Sequence, residues 1–178
     1  LKNLNAIGDS GYLVTNDTKI ANLIKDLRNH GMTNRNKIKN FGYVSRMDNL
    51  QAAILNYRLK KLDKIINIRR QNAKIYFDNI NTEHVFIPPE KSKEFNTYHT
   101  FVVQVNNREK LIKYLLKKSI QTSIHYPIPI HLQKASSKFN HKKGSFVETE
   151  KQAKKIISLP INESLTKKQL LYVANTIN

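Results

Sequence analysis

The sequence predicts an α/β chain: a piece of one domain, a long linking helical region, and a small α+β domain toward the C-terminus. Three observations carry this. A β-rich run, Gly11–Thr15, leads directly into an amphipathic helical pattern. Apolar residues then recur at helical spacing from Leu50 to Ile80, and beyond Pro89 the pattern changes to short alternating elements. The boundaries implied are 1–60 for the first part, 61–84 for the linking helix and 85–178 for the small domain.

Each element has its own warrant. Gly11-Tyr-Leu-Val-Thr15 lies between Gly8-Asp-Ser and Asn16-Asp17, so it reads as a strand between turns. Ile20, Leu23, Ile24 and Leu27 share one helical face, Asp17 or Thr18 suits its start, and Gly31 suits its end. From Thr33 to Gly42 the pattern fades into polar and basic residues, an exposed loop. Leu50, Ala53, Ile54 and Tyr57, then Leu62, Ile65 and Ile66, then Ala73, Tyr76, Phe77 and Ile80 mark one long helix or two in close succession. Tyr98–Val105 reads as a strand, Arg108–Lys118 as a helix and Ile120–His125 as a strand, a β-α-β unit. Phe146–Ile156 and Thr166–Ile177 read as helices, the second opening on Thr166-Lys-Lys-Gln169, the spacing of a capping box.

Composition narrows the function classes. With hydrophobic residues at 39% and only five Gly and five Pro, the chain has the makeup of a folded protein. The absence of cysteine removes disulfides, thiolate metal sites and a Cys nucleophile. No apolar run is long enough to span a membrane and no signal-peptide pattern opens the chain, which sets the expected location as cytoplasmic. The first residue is Leu1, pointing to an unusual start codon, processing, or an excised piece of something longer. A formal charge of +18 invites a nucleic-acid reading. The lysines, however, recur on every expected helix and no nucleic-acid motif accompanies them, so specific nucleic-acid binding is not expected.

The most informative segment is Leu1-Lys-Asn-Leu-Asn-Ala-Ile-Gly-Asp-Ser-Gly-Tyr-Leu-Val-Thr-Asn-Asp17. It resembles the cofactor-lysine segment of the DegT/DnrJ-type sugar aminotransferases. Further blocks resemble that family in the same order: Leu27-Arg-Asn-His-Gly31, Gly42-Tyr-Val-Ser-Arg-Met-Asp-Asn-Leu-Gln-Ala-Ala53, Tyr98-His-Thr-Phe-Val-Val103, His125-Tyr-Pro-Ile-Pro-Ile-His-Leu-Gln133 and Ser158-Leu-Pro160. The resemblance implies the C-terminal half of a fold-type I, pyridoxal-phosphate-dependent enzyme: the end of its large domain, long linking helices and a small α+β domain.

It also implies residue roles. Lys2 becomes the Schiff-base lysine, and only an amine condenses with the cofactor aldehyde; the competing reading is one exposed lysine among many near a chain end. Arg46 matches a family arginine and suits phosphate or carboxylate, against the alternative of an ion pair with Asp48 at a helix start. His125, Tyr126 and His131 become candidates for substrate or cofactor contact on a loop beside the sugar-binding cleft, against simple packing of a proline-shaped turn. A metal role for these histidines is not expected, because no third ligand stands at a recognisable spacing. One position departs from the family pattern. An asparagine that reaches the cofactor phosphate of the other subunit is here Val44, which has no hydrogen-bonding side chain.

The implied function of the parent enzyme is transfer of an amino group, with glutamate as donor, to a keto sugar carried on a nucleotide. The resemblance further implies a homodimer with a shared active site and a place in cell-surface polysaccharide synthesis. The isolated chain is expected to be inactive, because the rest of the cofactor site would lie ahead of Lys2. Alternatives are a sugar dehydratase of the same fold, in which histidine replaces the lysine, a non-catalytic remnant or interaction module, and a basic nucleic-acid binder.

Overall fold

A computed structural model describes residues 2–178. The chain forms two compact units, the first ending at Leu62 and the second covering Asp63–Asn178.

In the first unit, helix α1 (Thr18–Leu27) starts at Asp17, whose Oδ1 accepts from the backbone N–H groups of Lys19 (2.7 Å) and Ile20 (3.2 Å). This satisfies two donors that a helix start otherwise leaves open. The chain leaves α1 through His30 and Gly31, at φ 61° and 74°. Gly31 is required twice over: its φ is left-handed, and a Cβ there would lie 1.7 Å from the Asn40 carbonyl oxygen. Gly42 packs back on it, since a Cβ at Gly42 would come within 2.3 Å of the Gly31 nitrogen. Three backbone bonds tie the two blocks together: Tyr43 N–H to Leu27 O (2.7 Å), His30 N–H to Tyr43 O (2.9 Å) and Ser45 N–H to Arg28 O (2.9 Å).

Two sequence expectations fail here. The stretch read as an exposed loop carries a short antiparallel hairpin, β1 (Met32–Asn34) and β2 (Lys37–Ile38), turned by Asn34, whose Oδ1 accepts from Asn36 N–H at 3.0 Å. Its strands are two or three residues long and largely exposed, so no apolar alternation announced them. Conversely, Gly11–Thr15 belongs to no strand. A strand needs a neighbour for its N–H and C=O groups, and none stands beside it among the described residues. The long helical region is two helices, α2 (Asn49–Leu59) and α3 (Leu62–Asn79), parted at Lys60-Lys61.

The second unit is built on a three-stranded antiparallel sheet in the order β3-β4-β5, with β3 at Val85–Phe86, β4 at Phe101–Val105 and β5 at Ile156–Leu159. Val85 pairs with Val105, and Phe101 with Leu159. Helices α4 (Arg108–Lys117), α5 (Val147–Lys155) and α6 (Lys167–Ile177) complete it. Ala73 and Tyr76 of α3, Val103 and Ile157 of the sheet, Leu115 of α4 and Leu170 of α6 are all fully enclosed in one core. The capping box at Thr166 and Gln169 forms as read from the sequence.

The elements expected of the small domain are corrected in three places. The strand begins at Phe101 rather than Tyr98, whose φ of 43° is incompatible with extended pairing. The expected strand at 120–125 is reduced to one bridge, Ser123 to Ser158. The residue that closes the expected helix at 156 instead opens β5, where the β-branched Ile157 enters the core and Pro160 ends the pairing.

One face of α3 holds the end of β5 in place. Arg69, Asn72 and Tyr76 lie at helical spacing and are nearly or fully buried. Tyr76 donates to the Pro160 carbonyl (2.7 Å), Arg69 to that of Ile161 (3.2 Å) and Asn72 to that of Asn162 (2.8 Å). Arg69 also pairs with Glu163 (2.8 Å) and donates to the Tyr98 carbonyl (3.2 Å). Nearby, Glu90 accepts from Arg70 (2.7 Å), Asn96 N–H (2.9 Å) and the Tyr98 hydroxyl (2.9 Å). The Arg70 bond, more than any other, holds the Glu90 carboxyl at about 2, well below its ordinary range.

Tyr76→Phe leaves the Pro160 carbonyl without its buried donor and is expected to cost about 1–3 kcal/mol, read as a lower urea midpoint at unchanged slope. A carboxylate with a depressed pKa stabilises the fold above its unfolded value, and that stabilisation is lost as pH falls toward about 2. Denaturation profiles between pH 5 and 2 are therefore expected to fall less steeply for Glu90→Gln than for the natural chain.

Candidate active site

The candidate residues fall on both units. Lys2 is exposed, and its amine makes no hydrogen bond or ion pair among the described residues. The segment carrying it is braced from α2. A Cβ on Gly8 would sit 3.2 Å from the side-chain amide of Gln51, so the backbone passes close to that amide. The Gln51 Oε1 atom is buried with no hydrogen-bond partner among the described residues.

Arg46 is exposed and stands two residues before Asp48, the N-cap of α2. The alternative reading paired these two, but Arg46 forms no ion pair among the described residues. Val44 bridges to Asn29 through backbone and leaves its side chain 65% exposed. An uncommitted amine and an uncommitted guanidinium in one unit are the donor types that an aldehyde-bearing phosphate ester calls for, so these residues fit pyridoxal phosphate.

On the second unit, a cavity of about 980 Å³ opens between the end of α4, the 119–123 loop, the end of β5 and α6. His125 and Ser158 both line it. His125 Nδ1 lies 2.8 Å from Ser158 Oγ, which fixes the ring against β5 and leaves Nε2 without a hydrogen bond among the described residues. The ring of Tyr126 meets that of His125 edge-on at 5.5 Å and is itself well exposed. These two are brought together.

His131 is placed differently. It sits in a single 3₁₀ turn, Ile130–Leu132, is buried, and directs Nε2 to Glu150 Oε1 at 3.0 Å, with its ring 4.8 Å from that of Phe146. Glu150, on α5, also accepts from Gly144 N–H at 2.7 Å, and its carboxyl is held below the usual range chiefly by the bond from His131. The loop from His125 to Gln133 is thus fastened at two points, by Ser158 on β5 and by Glu150 on α5. Sequence reasoning missed both fasteners. Ser158 lay within a recognised block without a role, and Glu150 looked like any solvated helix carboxylate.

Among the described residues no three metal-ligating side chains gather, and no helix is long and apolar enough to cross a membrane.

Comparison with known proteins gives the following. The profile of the DegT/DnrJ/EryC1/StrS aminotransferase family matches residues 1–178. A dTDP-3-amino-3,6-dideoxy-alpha-D-galactopyranose transaminase from Aneurinibacillus thermoaerophilus is 37% identical over 94% of this chain and 46% of its own length. A Geobacillus stearothermophilus protein described as a pleiotropic regulatory protein is 34% identical over 99% of this chain and 48% of its own. Among solved structures, that of Streptomyces venezuelae DesV in complex with a ketimine intermediate superposes with a TM-score of 0.92 at 32% identity, covering 98% of this chain and 47% of DesV. The chain therefore spans about half the length of the relatives it matches.

If Ser158 orients His125, Ser158→Ala is expected to change the ¹⁵N shifts of the His125 imidazole while leaving those of His131 in place, as read by heteronuclear NMR. Glu150→Gln is expected to do the converse and to speed amide exchange across residues 130–139.

Proposed function

Because this chain belongs to the DegT/DnrJ/EryC1/StrS aminotransferase family, we propose that the complete protein is a pyridoxal-phosphate-dependent transaminase. It moves an amino group from an amino acid, glutamate being the donor we favour, to a keto sugar carried on a nucleotide. The carrying observation is Lys2: an amine with no competing partner, inside the block where the family holds its cofactor lysine, in a chain that the family profile matches from end to end. On this reading residues 1–60 finish a large cofactor-binding domain, 61–84 link it, and 85–178 form the small domain. A homodimer with a shared site and a cytoplasmic location follow from the same resemblance.

When bound, pyridoxal phosphate supplies an electron sink for the carbon that loses or gains a proton. The work assigned to this chain is positional and proton-handling. Lys2 Nζ would hold the cofactor through its aldehyde carbon and, when free, would carry the proton between the substrate carbon and the cofactor, which requires a neutral amine. Arg46 presents a planar cation to a phosphate or carboxylate. His125, held by Ser158 through Nδ1, keeps Nε2 as our candidate contact to the sugar, with Tyr126 beside it. His131 stays on our substrate-site list only through its position in the loop, since its own nitrogen is committed to Glu150.

On this reading the remaining cofactor contacts would come from the part of the relatives that this chain does not match, and residues 1–178 by themselves are expected to turn over no substrate. Pyridoxal phosphate added to it is expected to give no stoichiometric visible band. In the complete enzyme the band is expected, and Lys2→Ala is expected to abolish it and to reduce turnover by at least about a hundredfold. A stoichiometric band in the isolated chain that disappears with Lys2→Ala defeats the inactivity claim, and a complete enzyme whose band survives Lys2→Ala defeats the assignment. In the same enzyme Val44→Asn restores a phosphate donor and is expected to tighten cofactor binding, measured by spectroscopic titration.

A further inference from the structure

Between Glu109 and Glu148 the sequence holds eight lysines and no carboxylate, and no arginine follows Arg108. The later part of that stretch, residues 128–147, folds back on itself as a small basic lobe. The Ser136 hydroxyl donates to the Ile130 carbonyl (2.6 Å), Asn140 turns the chain at a φ of 57°, and Lys142 N–H donates to Ser145 Oγ (2.9 Å). The ring of Phe146 lies against those of His131 (4.8 Å) and His141 (5.0 Å), which brings the two ends of the lobe together.

Apolar side chains and cations stand side by side on it. Ile130, Phe139 and Val147 are 81%, 61% and 50% exposed, and Leu132 and Phe146 are also open. Lys134, Lys138, Lys142 and Lys143 are exposed among them, with Lys138 Nζ 5.2 Å from the centre of the Phe139 ring. The carboxylates that follow in sequence are taken, Glu148 by Lys151 (2.8 Å) and Glu150 by His131 and Gly144 N–H. No carboxylate within the lobe offsets its lysines.

We propose that residues 128–147 dock this chain on an anionic lipid bilayer, the lysines meeting headgroup phosphates and the apolar tips entering the interface beside them. Interfacial binding grows with the apolar area inserted and with attraction to anionic lipids, and this lobe supplies both. Other partners fit its chemistry less well. Nucleic-acid sites draw on arginine for bidentate phosphate and base contacts, and the lobe has none. Protein interfaces are depleted in lysine, whereas here lysines stand among the apolar side chains. A second copy is opposed by the like charge of the two lobes. The inference does not depend on the transaminase reading, and its test uses neither cofactor nor substrate.

The probe is a phosphatidylcholine vesicle containing about one-third phosphatidylglycerol, compared with one of phosphatidylcholine alone. Cosedimentation with the first is expected to exceed that with the second at least about tenfold, and to fall severalfold between about 0.1 and about 0.5 M salt. Lys138→Glu combined with Lys142→Glu is expected to weaken binding at least about tenfold. Lys167→Glu combined with Lys168→Glu makes the same change of net charge at the start of α6 and is expected to weaken it less than about threefold. Phe139→Ser is expected to weaken binding about fivefold with thermal unfolding unchanged, because the ring is exposed. The chain has no tryptophan, so the emission of Phe139→Trp reports on the lobe alone and is expected to shift to the blue with the anionic vesicles. Equal losses from the two charge-reversal pairs overturn the proposal, as does emission that does not move. So does a single-stranded RNA homopolymer that binds more tightly than the vesicles and loses its affinity with the Lys138→Glu, Lys142→Glu pair, because nucleic acid would then be the partner.

Discussion

Three consecutive carbonyls past the end of β5, those of Pro160, Ile161 and Asn162, would be left facing a protein interior if α3 did not supply Tyr76, Arg69 and Asn72 to meet them. Much of the second unit depends on this set of bonds. A buried carbonyl with no donor costs of order 1–3 kcal/mol, so three such groups together rival a sizeable share of a small domain's net stability. The three donors span two turns of one helix, which means a single rigid element sets the position of the segment. That segment follows directly on Ser158, and Ser158 orients His125. The pose of the candidate imidazole is therefore inherited from a helix that carries none of the candidate site residues.

Carboxylates are scarce in this chain, 13 against 31 lysines and arginines. Three of them act as anchor points. Glu163 receives Arg69, Glu90 gathers Arg70, Tyr98 and the Asn96 amide, and Glu150 gathers His131 and the Gly144 amide. In each case the carboxylate joins segments far apart in sequence, so its contribution lies in fixing loops rather than in offsetting charge. The surplus lysines lie mostly at the surface, where pairing is worth little.

How much of this was legible in the sequence depended on the range of the forces involved. Helices announced themselves through local periodicity, and α1, α4 and α6 begin and end close to where capping residues and apolar spacing put them. The β elements were harder. β5 is four residues long and owes its existence to pairing with β4, a partner some fifty residues away that no local window can see. The same limit explains the failure at 120–125, where a β-prone stretch finds room for only one bridge, and at Gly11–Thr15, where propensity meets no neighbour at all. The candidate site was read from ordered motifs. Lys2, Arg46 and His125 were named from blocks of residues, whereas Ser158 and Glu150, which hold the loop, became visible only in three dimensions because one carboxylate on a helix looks like another.

The packing of Gly31 against Gly42 has a consequence for how this part of the chain changes over time. A Cβ on Gly42 would lie 2.3 Å from the Gly31 nitrogen, and one on Gly31 would meet the Asn40 carbonyl oxygen at 1.7 Å and the Gly42 nitrogen at 3.2 Å. Neither position can be relieved by adjusting the other, since both clashes are with main-chain atoms. Substitution effects at the two sites are therefore coupled rather than additive, and the pair forms a closed door to gradual drift. The Leu-Arg-Asn-His-Gly block and the Gly-Tyr-Val block, read separately along the sequence, behave under mutation as a single indivisible joint.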